Sequence, residues 1–181
     1  MTTETLEKLK YPIGPFKEPK EIERKTLQTW IESIATFPQK VKELTDGLSS
    51  KQLNWRYRPD GWSIKQVVHH CADSHMNAII RFKLALTEDT PSIKPYFEDR
   101  WANLIDSMDE DITYSIKLLT GLHYRWALLL KSLSKEELKR KFYHPEHRRE
   151  SNLEETIGLY AWHCEHHLAH IRQALKHQGR F

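Results

Sequence analysis

The chain has 181 residues, enough for one domain with a core of its own and no need of disulfide or metal staples. Its 28 Lys and Arg against 25 Asp and Glu leave a net charge of only +3 with the signs mixed along the chain, which argues against a nucleic-acid binder. The opening MTTETLEKLK lacks the apolar core of a signal peptide and no apolar run reaches about 18 residues, so the expectation is a cytoplasmic protein without a membrane span.

Residues 1–19 hold Pro12, Gly14, Pro15 and Pro19 and predict an extended arm in front of a single 1–181 domain. The first helix is predicted over Lys20–Leu48, where Leu27, Ile31, Ile34, Phe37, Val41 and Leu44 recur at helical steps. Pro38 interrupts that pattern and predicts a kink. Ser49 with Gln52 forms a capping box for a short turn to Asn54. Pro59-Asp60-Gly61 is a chain reversal, and Ser63 with Gln66 caps a second helix over Ile64–Thr87. The aromatic and Pro-bearing stretch 88–105 is a long connection, so the second and third helices need not be adjacent. The third helix is predicted from Ser107 to Leu133 along Ile112, Ile116, Leu119, Leu122, Trp126 and Leu130. Ser134 with Glu137 opens a short helix to Lys141, and 142–151 (FYHPEHRRES) is predicted as a loop. Asn152 with Glu155 caps the fourth helix, Leu153–His177, whose stripe is Leu153, Ile157, Tyr160, Cys164, Leu168, Ile171 and Leu175, with Gly179 just beyond its end. Four amphipathic helices with almost no strand signal predict an all-α four-helix bundle.

The chemistry is concentrated in YAWHCEHHLAH, Tyr160–His170, which carries His163, His166, His167 and His170 among the chain's 11 histidines. Two HxxxH pairs result, His163 with His167 and His166 with His170, and either places two imidazoles one turn apart where both can reach one ion. At about 100° per residue the apolar stripe centres near Cys164. His167 lies closest to it and His163 next, while His166 and His170 turn toward solvent. The first pair therefore borders the core. A third ligand is expected from the second helix, where His75 lies on the stripe, His70 flanks it and His69 points away. Phase does not separate His70 from His75, and His75 also fits a core histidine satisfied by a hydrogen bond. Cys71 and Cys164 form no CxxC pair and read as free, buried thiols in a reducing compartment. Asp73 and Glu165 stand beside the candidate ligands in sequence, but by phase both point away from the site.

The stretch GWSIKQVVHHCADSHMNAIIRFKLAL (Gly61–Leu86), with FYHP (Phe142–Pro145) and GLYAWHCEHHLAHI (Gly158–Ile171), resembles the DinB/YfiT-like superfamily, in its branch of metal-dependent hydrolases that includes bacillithiol transferases. The resemblance spans about Tyr11 to Gln178 and implies a four-helix bundle binding one divalent metal, zinc or in some members nickel, in a homodimer. Carried over by motif, the implied ligands are His70, His163 and His167. Such a centre implies hydrolysis by activated water, or transfer of an activated low-molecular-weight thiol to an electrophile; a non-enzymatic metal-binding stress protein is the reading from another class. The sequence names no general base and no small-molecule substrate. His75 and His166 are candidates to orient a ligand.

Overall fold

The computed structural model describes residues 2–181; the first residue of the expected arm lies outside them. In chain order the helices are α1 (Thr3–Lys10), α2 (Arg24–Thr45), α3 (Ser50–Leu53), α4 (Ile64–Thr87), α5 (Glu98–Trp101), α6 (Thr113–Ser132), α7 (Lys135–Leu138) and α8 (Leu153–His177), with a hairpin of β1 (Lys141–His144) and β2 (Arg149–Asn152) before α8. The four long helices α2, α4, α6 and α8 make the bundle.

Their order around it follows from who packs on whom. Both α2 and α4 pack against α6 and α8, so α2 and α4 occupy diagonal corners. Side-chain pairs give the directions. His69 bonds Ser115, His75 bonds His123 and Phe82 meets Trp126, so α4 and α6 run parallel. His70 meets His167 and Arg81 bonds Tyr160, so α4 and α8 run antiparallel. Glu165 bonds Ser33 and Lys40 while Gly158 faces Trp30, so α2 and α8 run parallel. Two parallel neighbours demand crossovers as long as a helix. The 24 residues of α4 span about 36 Å, and the stretch 88–112 is long enough to return along it. It is held at the start of α4, where Lys65 Nζ donates to the Met108 carbonyl at 2.8 Å and Gln66 Nε2 to the Ala102 carbonyl at 2.9 Å. The long connection thus joins helices that do pack together.

The core is the common stripe of the four helices: Ile34, Phe37, Val68, Phe82, Leu119, Trp126, Ile157, Leu168 and their neighbours are fully buried. Both boundaries of α4, and both of α8, fall where the sequence predicts them. The side chains of Ser63 and Asn152 accept from the backbone N–H groups of Gln66 and Glu155. Gly158 is required by packing, since a Cβ there would lie 2.8 Å from the Trp30 ring.

Three expectations are corrected. The arm is not extended throughout: Thr3–Lys10 is helical, capped by the Thr2 side chain, and the segment after it folds back on α8, where Trp162 Nε1 donates to the Gly14 carbonyl at 3.0 Å. The predicted loop 142–151 contains a hairpin whose first strand alternates exposed and buried, with Phe142 and His144 inward. Two inward residues are too short an alternation to register as a strand pattern, and the hairpin is completed by main-chain bonds from Ile93 and Tyr143 to one another's neighbourhood, Ile93 N–H to Tyr143 and Tyr143 N–H to Pro91. The third long helix starts at Thr113 instead of Ser107. The Asp109 and Asp111 carboxylates accept from the backbone of Asp111 and Thr113, which competes with helix there.

Candidate metal centre

The capping box of α4 sets the phase that brings His70 inward seven residues later, and the Asn152 cap does the same for His163 and His167 on α8. Antiparallel packing then places the three rings together. One ligand nitrogen from each of His70, His163 and His167 lies within 4.8 Å of the others. The Nε2 atoms of His163 and His167 are 3.2 Å apart, close to the edge of about 3.3 Å that tetrahedral ligands 2.0–2.1 Å from one zinc ion would have. Burial holds the His70 imidazole down to about 4 and those of His163 and His167 well below the usual histidine value. All three therefore stand neutral, the form that coordinates a cation. The donor set, its spacing and its charge state fit one divalent ion with room left for a further ligand.

That room is a cavity of about 390 Å³ over the triad. Its walls come from four places: Tyr57 and Trp62 from the turn before α4, Tyr96 from the crossover, His144 and His147 from the hairpin, and Tyr11 from the N-terminal segment. Trp62 packs on the His70 ring with centroids 4.6 Å apart. Among the polar groups of its lining is Arg81, whose Nη1 donates to the Tyr160 hydroxyl at 3.2 Å while its Nε is buried without a partner. A larger groove of about 970 Å³ lies on the α2 side of α8, where Ser33, Lys40 and Glu165 meet, and no histidine lines it.

A second row of histidines surrounds the triad. His75 Nε2 lies 3.1 Å from His163 Nδ1, and His75 Nδ1 lies 2.8 Å from His123 Nε2. His123 Nδ1 donates to the Ile34 carbonyl at 2.6 Å. On the other side His167 Nδ1 lies 3.4 Å from His170 Nδ1, and His170 Nε2 donates to the Lys10 carbonyl at 3.0 Å.

Sequence phase separates the helix pairs as the structure does, with His163 and His167 inward beside His70. His69 does point elsewhere, to Ser115 and the Asp109 carbonyl. Glu165 turns to Ser33 and Lys40. Asp73 stays outside the cavity, its carboxyl raised to about 6 by burial and by Asp106. Cys164 and Cys71 are buried free thiols, both pushed up by desolvation. Two readings change. His166 and His170 are not on a solvent face: they are 6% and 2% exposed because the N-terminal segment covers that flank, with Tyr11 against His166. His123 escaped notice, although it falls on the stripe of the third helix between Leu119 and Trp126. A polar residue at a core position with helical spacing was the available signal.

The sequence pattern described as the DinB superfamily matches residues 34–171. The chain is 45% identical over 171 residues to "Putative metal-dependent hydrolase YfiT" of Bacillus subtilis (strain 168), covering 94% of this chain and 96% of that protein. It is 46% identical over 166 residues to "Putative metal-dependent hydrolase BH0277" of Halalkalibacterium halodurans, covering 92% and 96%. Among solved structures, YfiT from Bacillus subtilis, described as "a probable metal-dependent hydrolase with an unusual four-helix bundle topology", superposes with a TM-score of 0.92 at 45% identity, covering 95% of this chain and 98% of that one. The parallel pairs α2/α8 and α4/α6, the histidines they gather and the match across most of the chain lead to one assignment: the protein belongs to the DinB superfamily.

Proposed function

We propose that the protein is a metal-dependent hydrolase in which His70, His163 and His167 hold one divalent cation, zinc or else nickel. The observation that carries this reading is the convergence of three neutral imidazoles at the floor of an accessible cavity. A cation held there supplies Lewis acidity and lowers the pKa of a bound water or thiol toward neutrality. The remaining work belongs to the chain. Tyr57, Trp62 and Tyr96 line the approach with apolar rings that exclude bulk water and strengthen electrostatics inside. Arg81, in no ion pair within 4 Å among the described residues, offers its guanidinium to an anionic group of a small-molecule substrate.

One observation favours a second reading, transfer of a low-molecular-weight thiol to an electrophile. The carboxylates lining the cavity are Glu98 and Glu146, both exposed, and neither bonds a histidine of the triad. A thiol deprotonated on the cation needs no separate base. The buried free thiols Cys71 and Cys164 suit the reducing cytoplasm where such chemistry would occur, and no helix among the described residues is long and apolar enough to cross a membrane. A homodimer is supported by the exposed apolar line Tyr114, Leu118 and Leu128 on α6; light scattering giving a monomer mass would remove it.

The test uses metal-loaded wild type and His167→Ala with ester and amide substrates, then with thiols plus electrophiles. Metal loss and activity loss together in the variant are expected. Unchanged metal content in His167→Ala would overturn the ligand assignment, and a loaded wild type inert to every class would leave a non-enzymatic metal-binding protein.

A further inference from the structure

The second row of histidines has a direction built into it. We propose that His75 and His123 on one side, and His170 on the other, are positioning residues that hold the single proton of His163 and of His167 on Nδ1, so that both rings present a bare Nε2 to the same point. This inference rests on reading the triad as a metal centre, and adds what makes two of its rings coordinate.

A carbonyl oxygen can only accept, so each chain of contacts has one possible sense. The Ile34 carbonyl takes a proton from His123 Nδ1 at 2.6 Å. A neutral imidazole carries one N–H, so His123 Nε2 is an acceptor and His75 Nδ1, 2.8 Å away, must donate to it. His75 Nε2 is then an acceptor, and His163 Nδ1, at 3.1 Å, is the donor. His163 Nε2 is left bare. The second chain starts from the Lys10 carbonyl, which takes the proton of His170 Nε2 at 3.0 Å. His170 Nδ1 becomes the acceptor for His167 Nδ1, 3.4 Å away, and His167 Nε2 is left bare. Both chains end on the two Nε2 atoms that stand 3.2 Å apart. With no proton between them, two lone pairs converge there, an arrangement that a shared cation makes favourable.

Neutrality comes from the surroundings. His75 and His123 are fully buried among Phe37, Trp126 and each other, and no carboxylate faces either ring. An imidazolium there would lack any compensating charge. No ring changes its charge in this account; only the seat of each N–H matters. The anchor of the first chain has a cause in the sequence. Within α2 the Ile34 carbonyl would bond the N–H of residue 38, and residue 38 is proline, which has none. Pro38 frees an acceptor in the core, and His123 occupies it. The anchor of the second chain is supplied by the last residue of α1, which ties the fold-back of the N-terminal segment to the metal ligand His167.

The decisive measurement needs no variant. Chelator-stripped wild type labelled with 15N-histidine, read by long-range 1H–15N correlation, should show Nδ1–H on His75, His123, His163 and His167, and Nε2–H on His170. His163 or His167 protonated on Nε2 in that protein would overturn the proposal. A titration with Zn2+ alone against a chromophoric chelator adds the energetic arm. His123→Leu removes the acceptor that orients His75 and should weaken Zn2+ binding about 10- to 100-fold. His123→Gln, whose amide oxygen can accept where Nε2 did, should recover most of that loss. A folded His123→Leu protein that binds Zn2+ as tightly as wild type would overturn the lock while leaving the metal centre intact. Wild type that binds no Zn2+ would overturn the metal centre itself, and the lock's purpose with it.

Discussion

Acid should unfold the metal-free protein near pH 5.5, because the site stores neutral histidines in its interior. The ordinary imidazole value in an unfolded chain is about 6.5. Desolvation holds His70, His123 and His166 down to about 4 and His170 to about 3 in the folded protein, and all four are buried. Because the folded values lie below the unfolded one, the unfolded chain binds more protons as the pH falls. The stability they contribute is complete above about pH 6.5 and is lost as the pH drops toward 4. At pH 5.5 an imidazole with an unfolded value of about 6.5 and a folded value of about 4 or below has lost about 1.4 kcal/mol, so the four together remove about 5.6 kcal/mol. His75, His163 and His167 are shifted in the same direction and add to it. A domain holds about 5–15 kcal/mol in total. Urea denaturation of chelator-stripped protein between pH 8 and 5, followed by far-UV circular dichroism, should therefore give a midpoint that falls steeply below pH 6.5, with an uptake of about four or more protons on unfolding. Saturating metal should hold the midpoint up at pH 6, by about 4 kcal/mol at a thousandfold excess over its dissociation constant. A midpoint that stays level from pH 7.5 to 5.5 in the stripped protein would refute the picture of neutral, dehydrated rings.

Two further outcomes separate residues that look alike in sequence. Glu165→Gln, between His163 and His167 in sequence, should leave bound metal per chain unchanged and shift stability by less than about 1 kcal/mol, since its partners Ser33 and Lys40 lie on the α2 side and the pair is more than a third exposed; loss of metal on that change would contradict the assigned orientation of α8. Gly158→Leu should cost about 1–3 kcal/mol and lower the melting temperature by several degrees, because its Cβ would start 2.8 Å from the Trp30 ring. A wild-type melting temperature in that variant would show that α2 and α8 are not packed this closely.

How far the site could be read along the chain depends on the range of the physics involved. The starts of α4 and α8 were legible because Ser63/Gln66 and Asn152/Glu155 satisfy helix-end groups three residues away. The pair His163 and His167 was legible because helical phase is a local property, and Cys164, Leu168 and Ile171 mark the inward side. The family motif singled out His70 from His75, which phase alone did not, and the packed structure explains why both seemed eligible: each is inward, one at the triad and one behind His163. The hairpin was hidden because β1 is also bonded on its other edge by Pro91 and Ile93, some fifty residues earlier.

By itself, then, the sequence determined the four long helices, the core stripe of each and the presence of a histidine row, since propensity, capping and periodicity act within a turn or two of the backbone. Tertiary structure decided which histidines belong to the interior. His166 and His170 look solvent-facing until Tyr11 and the Lys10 carbonyl arrive from 150 residues away, and His123 looks like a stray polar residue until α6 sets it against the carbonyl that Pro38 leaves open on α2. Burial and hydrogen-bond partnership across elements are properties of packing, and packing is where neighbours distant in the chain first meet.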